Sequence, residues 1–150
     1  MCTGNSARSI LAEALVNKNY SLKFKAFSAG SNPTGKINPN IKKYLEKKNF
    51  DISNYSSKNF DQFLKNKIKI HQVITVCNNA HNEVCPVWPE KKDIIHWDIE
   101  DPVEKIKSAT SDTEIEKVID ETYEILSNTI GTSLFSPITF TKSMVTLNDG

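Results

Sequence analysis

No apolar run in the chain approaches the ~18 residues needed to cross a bilayer, and no signal peptide precedes its first motif. Neither a membrane span nor export is expected, and the cytosol is the expected compartment. An excess of one charge is also lacking. Nineteen lysines and arginines face eighteen aspartates and glutamates, for a net charge of +1 and a pI near 7.7. That balance argues against a nucleic-acid or polyanion surface. Cysteine is scarce and odd in number, at three, which excludes a disulfide scaffold and leaves catalysis or metal binding as its use. Internal repeats and domain boundaries are absent as well, and 150 residues suit one domain with one core.

What is present begins at the second residue. Cys2 and Arg8 bracket Thr3-Gly4-Asn5-Ser6-Ala7, and an amphipathic helix follows Ser9. This is the plan of an anion cradle with a nucleophile at its base. Backbone N–H groups at a helix N-terminus point at the ligand, and the helix dipole favours negative charge. Gly4 is expected to supply the tight curl, having no steric penalty at positive φ. Arg8 can fork onto two oxygens of a tetrahedral oxyanion. The same positive field favours the thiolate form of Cys2, and Ser9 can donate a hydrogen bond to it.

Apolar periodicity predicts a helix from Ser6 to about Asn17, with Ile10, Leu11, Ala14 and Leu15 on one face. Leu22 to Ser28 alternates as a strand, and Ser28 to Pro39 reads as a loop. A second helix runs from Pro39 to about Asn49 with a stripe of Ile41, Tyr44 and Leu45. A short helix is expected from Asn59 to about Lys65. Val73 to Val76 reads as a buried strand, Asn78 to Lys92 as a long loop, and Ile94 to Trp97 as a further strand. The clearest helix spans Thr113 to about Ile130, capped by Asp112, with Ile115, Val118, Ile119, Tyr123, Leu126 and Ile130 on one face. Strands alternating with helices imply an α/β fold, a parallel sheet with helices on both faces in three layers.

Two further cysteines lie in revealing places. Cys77 directly follows the buried strand, where ligand sites of parallel sheets gather, and Cys85 lies eight residues on. They can form a redox relay with Cys2, or join His81 and His96 around zinc, although that spacing matches structural zinc patterns poorly. Asp101-Pro102 follows the next strand. A carboxyl group there can overhang the cradle as a general acid, or simply belong to a turn.

Several segments in order resemble the low-molecular-weight tyrosine phosphatase superfamily. Cys2 to Ser9 with Leu11-Ala12-Glu13-Ala14 is similar to its phosphate loop. The resemblance continues through Ser28-Ala29-Gly30-Ser31, Pro33, Gly35 and Pro39, then Ser57-Lys58, Phe60-Asp61 and Phe63. Val73 to Asn79, Val84-Cys85-Pro86-Val87-Trp88-Pro89, His96-Trp97 and Asp101-Pro102 resemble the thioredoxin-coupled arsenate reductase branch.

The resemblance implies that arsenate sits between Cys2 and Arg8, that Cys2 attacks arsenic, and that Asp101 protonates the leaving oxygen. Cys77 then attacks Cys2, and Cys85 attacks Cys77, leaving a Cys77–Cys85 disulfide that thioredoxin or another thiol reduces. No flavin or metal is required. Asn5, Glu13 and Ser28 are implied to form a polar network bracing the cradle, which a potassium ion joins in some relatives. A tyrosine phosphatase is the rival reading, since phosphate and arsenate share shape and charge. That branch usually places aromatic residues after its Asp-Pro, where Val103 and Glu104 stand here, and it has no use for Cys77 and Cys85. An inactive relative is the third reading. The family also places a buried strand before the nucleophile, where this chain has only Met1. The expectation is therefore a single domain lacking its usual first strand, truncated at the N-terminus and atypical after about residue 131.

Overall fold

The computed structural model describes residues 1–78, Trp88 and 94–135. Five helices and two strands follow in the order α1 (Arg8–Asn19), α2 (Pro39–Lys47), α3 (Asp61–Lys65), β1 (Val73–Thr75), β2 (Ile94–His96), α4 (Pro102–Ser108) and α5 (Asp112–Phe135) among the described residues. β1 and β2 pair in parallel, with Val73 opposite Ile94, Ile74 opposite Ile95 and Thr75 opposite His96.

The ladder extends beyond these two strands through single rungs. The Met1 ammonium donates to the Ile74 carbonyl, and the Val76 N–H donates to the Met1 carbonyl at 2.8 Å. This is the parallel pattern, in which one residue bonds to both neighbours of its opposite. It sets Met1 against Thr75 and Cys2 against Val76. On its other side Cys2 bridges Gly30, and Gly30 bridges Asn59, both in parallel. Cys2 is thus a central rung, flanked on both sides.

The two faces of β1 and β2 meet different partners because side chains alternate along a strand. Val73 and Ile94 belong with Ala29, Phe63 of α3 and Trp88. Ile74 and Ile95 pack against the larger core, where Ile10, Leu11 and Leu15 of α1 meet Ile119, Leu126 and Ile130 of α5. Helices therefore cover both faces, as the alternating pattern predicts. α5 is the hub, contacting α1, α2 and α4. Its union with α2 carries a Tyr44 hydroxyl bond to Asp120 and a Lys47–Glu116 ion pair at 2.8 Å.

Several boundaries shift for identifiable reasons. α1 starts at Arg8 rather than Ser6, because the preceding residues curl around the cradle. α2 ends at Lys47 and α3 starts at Asp61, each two residues inside its predicted limit. β1 and β2 each stop one residue early, at Thr75 and His96. α5 is capped by Ser111, whose hydroxyl accepts from the Glu114 N–H at 3.2 Å, while Asp112 forms its first turn. It continues past Ile130 to Phe135, through Gly131, where an added Cβ would stand 3.5 Å from the Tyr20 hydroxyl. Helix α4 was not anticipated at all. Asp101 caps it by accepting from the Val103 N–H at 3.1 Å, and Pro102 fills its first position, so Asp-Pro starts a helix instead of a turn.

The strand expected from Leu22 to Ser28 does not form. Leu22 is 98% exposed, and an apolar groove is lined by Phe24 and Ala26 on one side and Val73 and Ile74 of β1 on the other. A side chain takes part of a pairing strand's role. Asn17 donates its amide to the Ala26 carbonyl at 3.0 Å and accepts the Ala26 N–H at 2.8 Å.

Candidate active site

The cradle owes its polarity to where its carbonyls go. Thr3, Gly4 and Ser6 turn their carbonyl oxygens outward, accepting N–H bonds from Asn32, Thr34 and Asn38, each at 3.0 Å. A trans peptide unit points its N–H opposite to its C=O, so the N–H groups of Gly4, Asn5 and Ala7 turn inward. Ser57 supports the same wall, donating its hydroxyl to the Gly4 carbonyl at 3.2 Å. α1 begins without a side-chain cap and without an acidic residue in its first turn. A helix start of this kind favours an anion. Residues 2–8 and Asp101 line one concavity.

The tight curl falls on Asn5, with φ of 46°, and not on Gly4 as the sequence implied. Asparagine is among the few residues with side chains that visit this region readily. A glycine is required instead at position 30. A Cβ there would lie 2.3 Å from the Thr3 carbonyl oxygen and 2.9 Å from that of Cys2.

Cys2 is 3% exposed and is not in a disulfide. Its sulfur accepts the Asn5 N–H at 3.2 Å and lies 2.9 Å from the Ser9 hydroxyl oxygen. That oxygen accepts the Asn5 side-chain amide at 2.8 Å, which leaves the Ser9 proton to point at the sulfur. Ser9 thus makes the hydrogen bond to the nucleophile that its place in the sequence suggested, and it is not among the residues that line the concavity.

Arg8 is buried and held on three sides. Its Nη1 donates to the Val76 carbonyl at 3.1 Å and the Ile99 carbonyl at 3.0 Å, and its Nη2 lies 3.4 Å from Asp101 Oδ2. The other oxygen of Asp101 caps α4. A carboxylate 35% exposed, fixed at both oxygens and on the cradle rim, has the placement of a general acid. Cys77 is fully buried and immediately follows Val76. With Cys2 set against Val76, the two cysteines occupy adjoining segments at neighbouring levels. Cys85 and His81, and with them the relay's third thiol and the zinc alternative, lie outside the described residues. The described residues contain no cluster of three or more metal-binding side chains.

Behind Ser9 lies a network the sequence grasped only in part. Glu13 is 5% exposed and accepts the Ser28 hydroxyl. Burial pushes its carboxyl above the ordinary range, and Lys58 opposes that shift. Lys58 Nζ stands 4.0 Å from Glu13 Oε2, and its ammonium is pushed down by burial, against the pull of Glu13. A potassium ion at Asn5, Glu13 and Ser28 does not fit this arrangement. Asn5 Oδ1 already accepts the Lys58 N–H at 2.9 Å, the Ser28 proton faces Glu13, and a second cation would sit beside the ammonium. Lys58 stands 45 residues from Glu13 in the sequence, so nothing local signals that the two meet.

Together these features describe an α/β protein whose first helix opens on a concave loop with a buried cysteine at one end and a buried arginine at the other. The family model described as low molecular weight phosphotyrosine protein phosphatase matches residues 1–134. The chain belongs to that family. An arsenate reductase from Halalkalibacterium halodurans is 38% identical over 102 residues, which cover 68% of this chain and 70% of that protein. Among solved structures, an arsenate reductase from Archaeoglobus fulgidus superposes with a TM-score of 0.65 at 27% identity, covering 87% of this chain and 95% of the other. A thioredoxin-dependent arsenate reductase from Corynebacterium glutamicum superposes with a TM-score of 0.53 at 27% identity, covering 88% of this chain and 60% of the other.

Proposed function

We propose that this chain reduces arsenate to arsenite, as its relatives' names describe, and that it does so by thiol chemistry centred on Cys2. The observation that carries this reading is Cys77, a second buried thiol directly beyond the carbonyl that Arg8 holds. Hydrolysis of a phosphate ester has no use for it.

Arsenate enters the inward N–H groups of the cradle and competes with Asp101 for Arg8. The Cys2 thiolate attacks arsenic, and an arsenate oxygen leaves as water with the proton that Asp101 supplies. An S–As bond now holds As(V). The Cys77 thiolate attacks the Cys2 sulfur, an S–S bond forms, and the S–As electron pair stays on arsenic, which departs as As(III). The Cys85 thiolate then attacks Cys77 and expels Cys2 as thiolate. The remaining Cys77–Cys85 disulfide passes its oxidation to an external dithiol. The Corynebacterium glutamicum relative supports thioredoxin as that dithiol. No helix among the described residues is long and apolar enough to cross a membrane.

The test is arsenate-dependent consumption of reduced thioredoxin, run beside hydrolysis of p-nitrophenyl phosphate. Sustained arsenate turnover with negligible ester hydrolysis is expected, and the reverse pattern establishes the phosphatase reading instead. Cys85→Ser should complete one turnover and stop. Continued cycling of that variant with thioredoxin would refute the relay.

A further inference from the structure

Glu13 presents a problem that the cradle's chemistry does not address. It is a carboxyl group buried beneath the nucleophile's support, and once ionised there it needs a partner of opposite sign. The geometry points to Lys58 as the resident cation of this site: its ammonium stands where an alkali ion would serve, and its backbone ties that charge to the cradle, so the site needs no potassium.

Three links from one residue support this. The Lys58 ammonium donates to the Ser56 carbonyl at 2.8 Å and stands 4.0 Å from Glu13 Oε2, with only 13% of the side chain exposed. Its N–H donates to Asn5 Oδ1 at 2.9 Å, and its carbonyl accepts the Gly30 N–H at 2.9 Å. Asn5 then passes the connection on, from its amide to Ser9 and from Ser9 to the Cys2 sulfur. A fixed position for Lys58 therefore fixes the left-handed turn at Asn5 and the close approach at Gly30. Lys58 touches no oxyanion. It is a positioning residue, acting through Asn5 and Glu13. This rests on the oxyanion-cradle reading and not on the reduction of arsenate.

The experiment compares melting temperature and inorganic phosphate affinity of the whole chain in potassium, sodium and choline chloride at equal ionic strength. The unaltered chain should give the same values in all three salts. Lys58→Gln should melt lower and bind phosphate roughly tenfold more weakly in choline chloride, a typical coupling between linked sites. Potassium should restore much of both losses, and Lys58→Arg should behave as the unaltered chain. A potassium-selective rise in melting temperature of the unaltered chain overturns the proposal. So does a Lys58→Gln variant that is indifferent to cations and binds phosphate normally. If Lys58→Gln does not fold, the salt series on the unaltered chain and on Lys58→Arg still decides. Failure of the unaltered chain to bind phosphate in any salt instead rejects the cradle itself, while the melting series continues to report on Lys58.

Discussion

At the scale of single residues, the site works by committing polar groups in one direction. Asn5 spends its carbonyl oxygen on Lys58 and its amide on Ser9, which leaves the Ser9 proton for sulfur. A net hydrogen bond to a charged group is worth about 1.5–3 kcal/mol, so each member matters well beyond its size. Glu13 adds a signature in pH. Burial raises its pKa, so between about pH 4 and its folded value the native state holds a proton that the unfolded chain has released. Stability from this group is therefore present in acid and is lost as pH rises through that window. In urea melts from about pH 4 to about pH 7, the stability of the unaltered chain relative to Glu13→Gln should decline with rising pH. A flat difference would mean that burial does not raise the Glu13 pKa.

At the scale of elements, α4 holds Asp101 by one carboxylate oxygen while the other faces Arg8, so its cap and its proposed role as an acid are separable. Asp101→Asn keeps an oxygen to cap the Val103 N–H but has no proton to donate as an acid. It should lower turnover by about 10²–10⁴-fold while changing the melting temperature little. Asp101→Ala should show the same loss of turnover together with about 0.5–2 kcal/mol of lost stability, read by denaturant unfolding. Equal stability of the two variants would show that the cap contributes nothing. The elements also mark how far the chain could be read in advance. Periodicity placed α1, α2 and α5 because each buries one continuous stripe, as Ile10, Leu11, Ala14 and Leu15 do in α1. It misplaced Leu22–Ser28 because strand formation depends on what lies alongside, and alternation within the segment carries no knowledge of the groove beside it. It missed α4 because that helix is short, and the Asp-Pro that opens it also opens ordinary turns.

At the scale of the whole molecule, α5 gathers the other helices. Leu126 lies at its centre and is fully buried. Leu126→Ala should cost about 2–5 kcal/mol, measured as a shift in the urea midpoint at unchanged slope, with the Cys2 loop unaffected in chemistry once folded. A loss below 1 kcal/mol, read against about 5–15 kcal/mol for a whole domain, would mean that the helix can collapse onto the gap. Cys2, Arg8, Cys77 and Asp101 stood out in the sequence because their proposed chemistry is written in residue type and order, and the structure brings Cys2, Arg8 and Asp101 to one concavity. The bracing carbonyl bonds to Asn32, Thr34 and Asn38, and the cation at Lys58, did not stand out, since any residue supplies a backbone N–H and lysine is common on surfaces. One feature reaches across the molecule. Arg8 grips Val76 and Ile99 through the same nitrogen, just beyond the ends of the paired strands β1 and β2. An oxyanion that repositions this guanidinium changes the tension on the peptide preceding Cys77. Occupancy of the cradle should therefore be audible at a distance, as altered amide hydrogen exchange around Val76 and Ile99 while the interior of α5 keeps its rate.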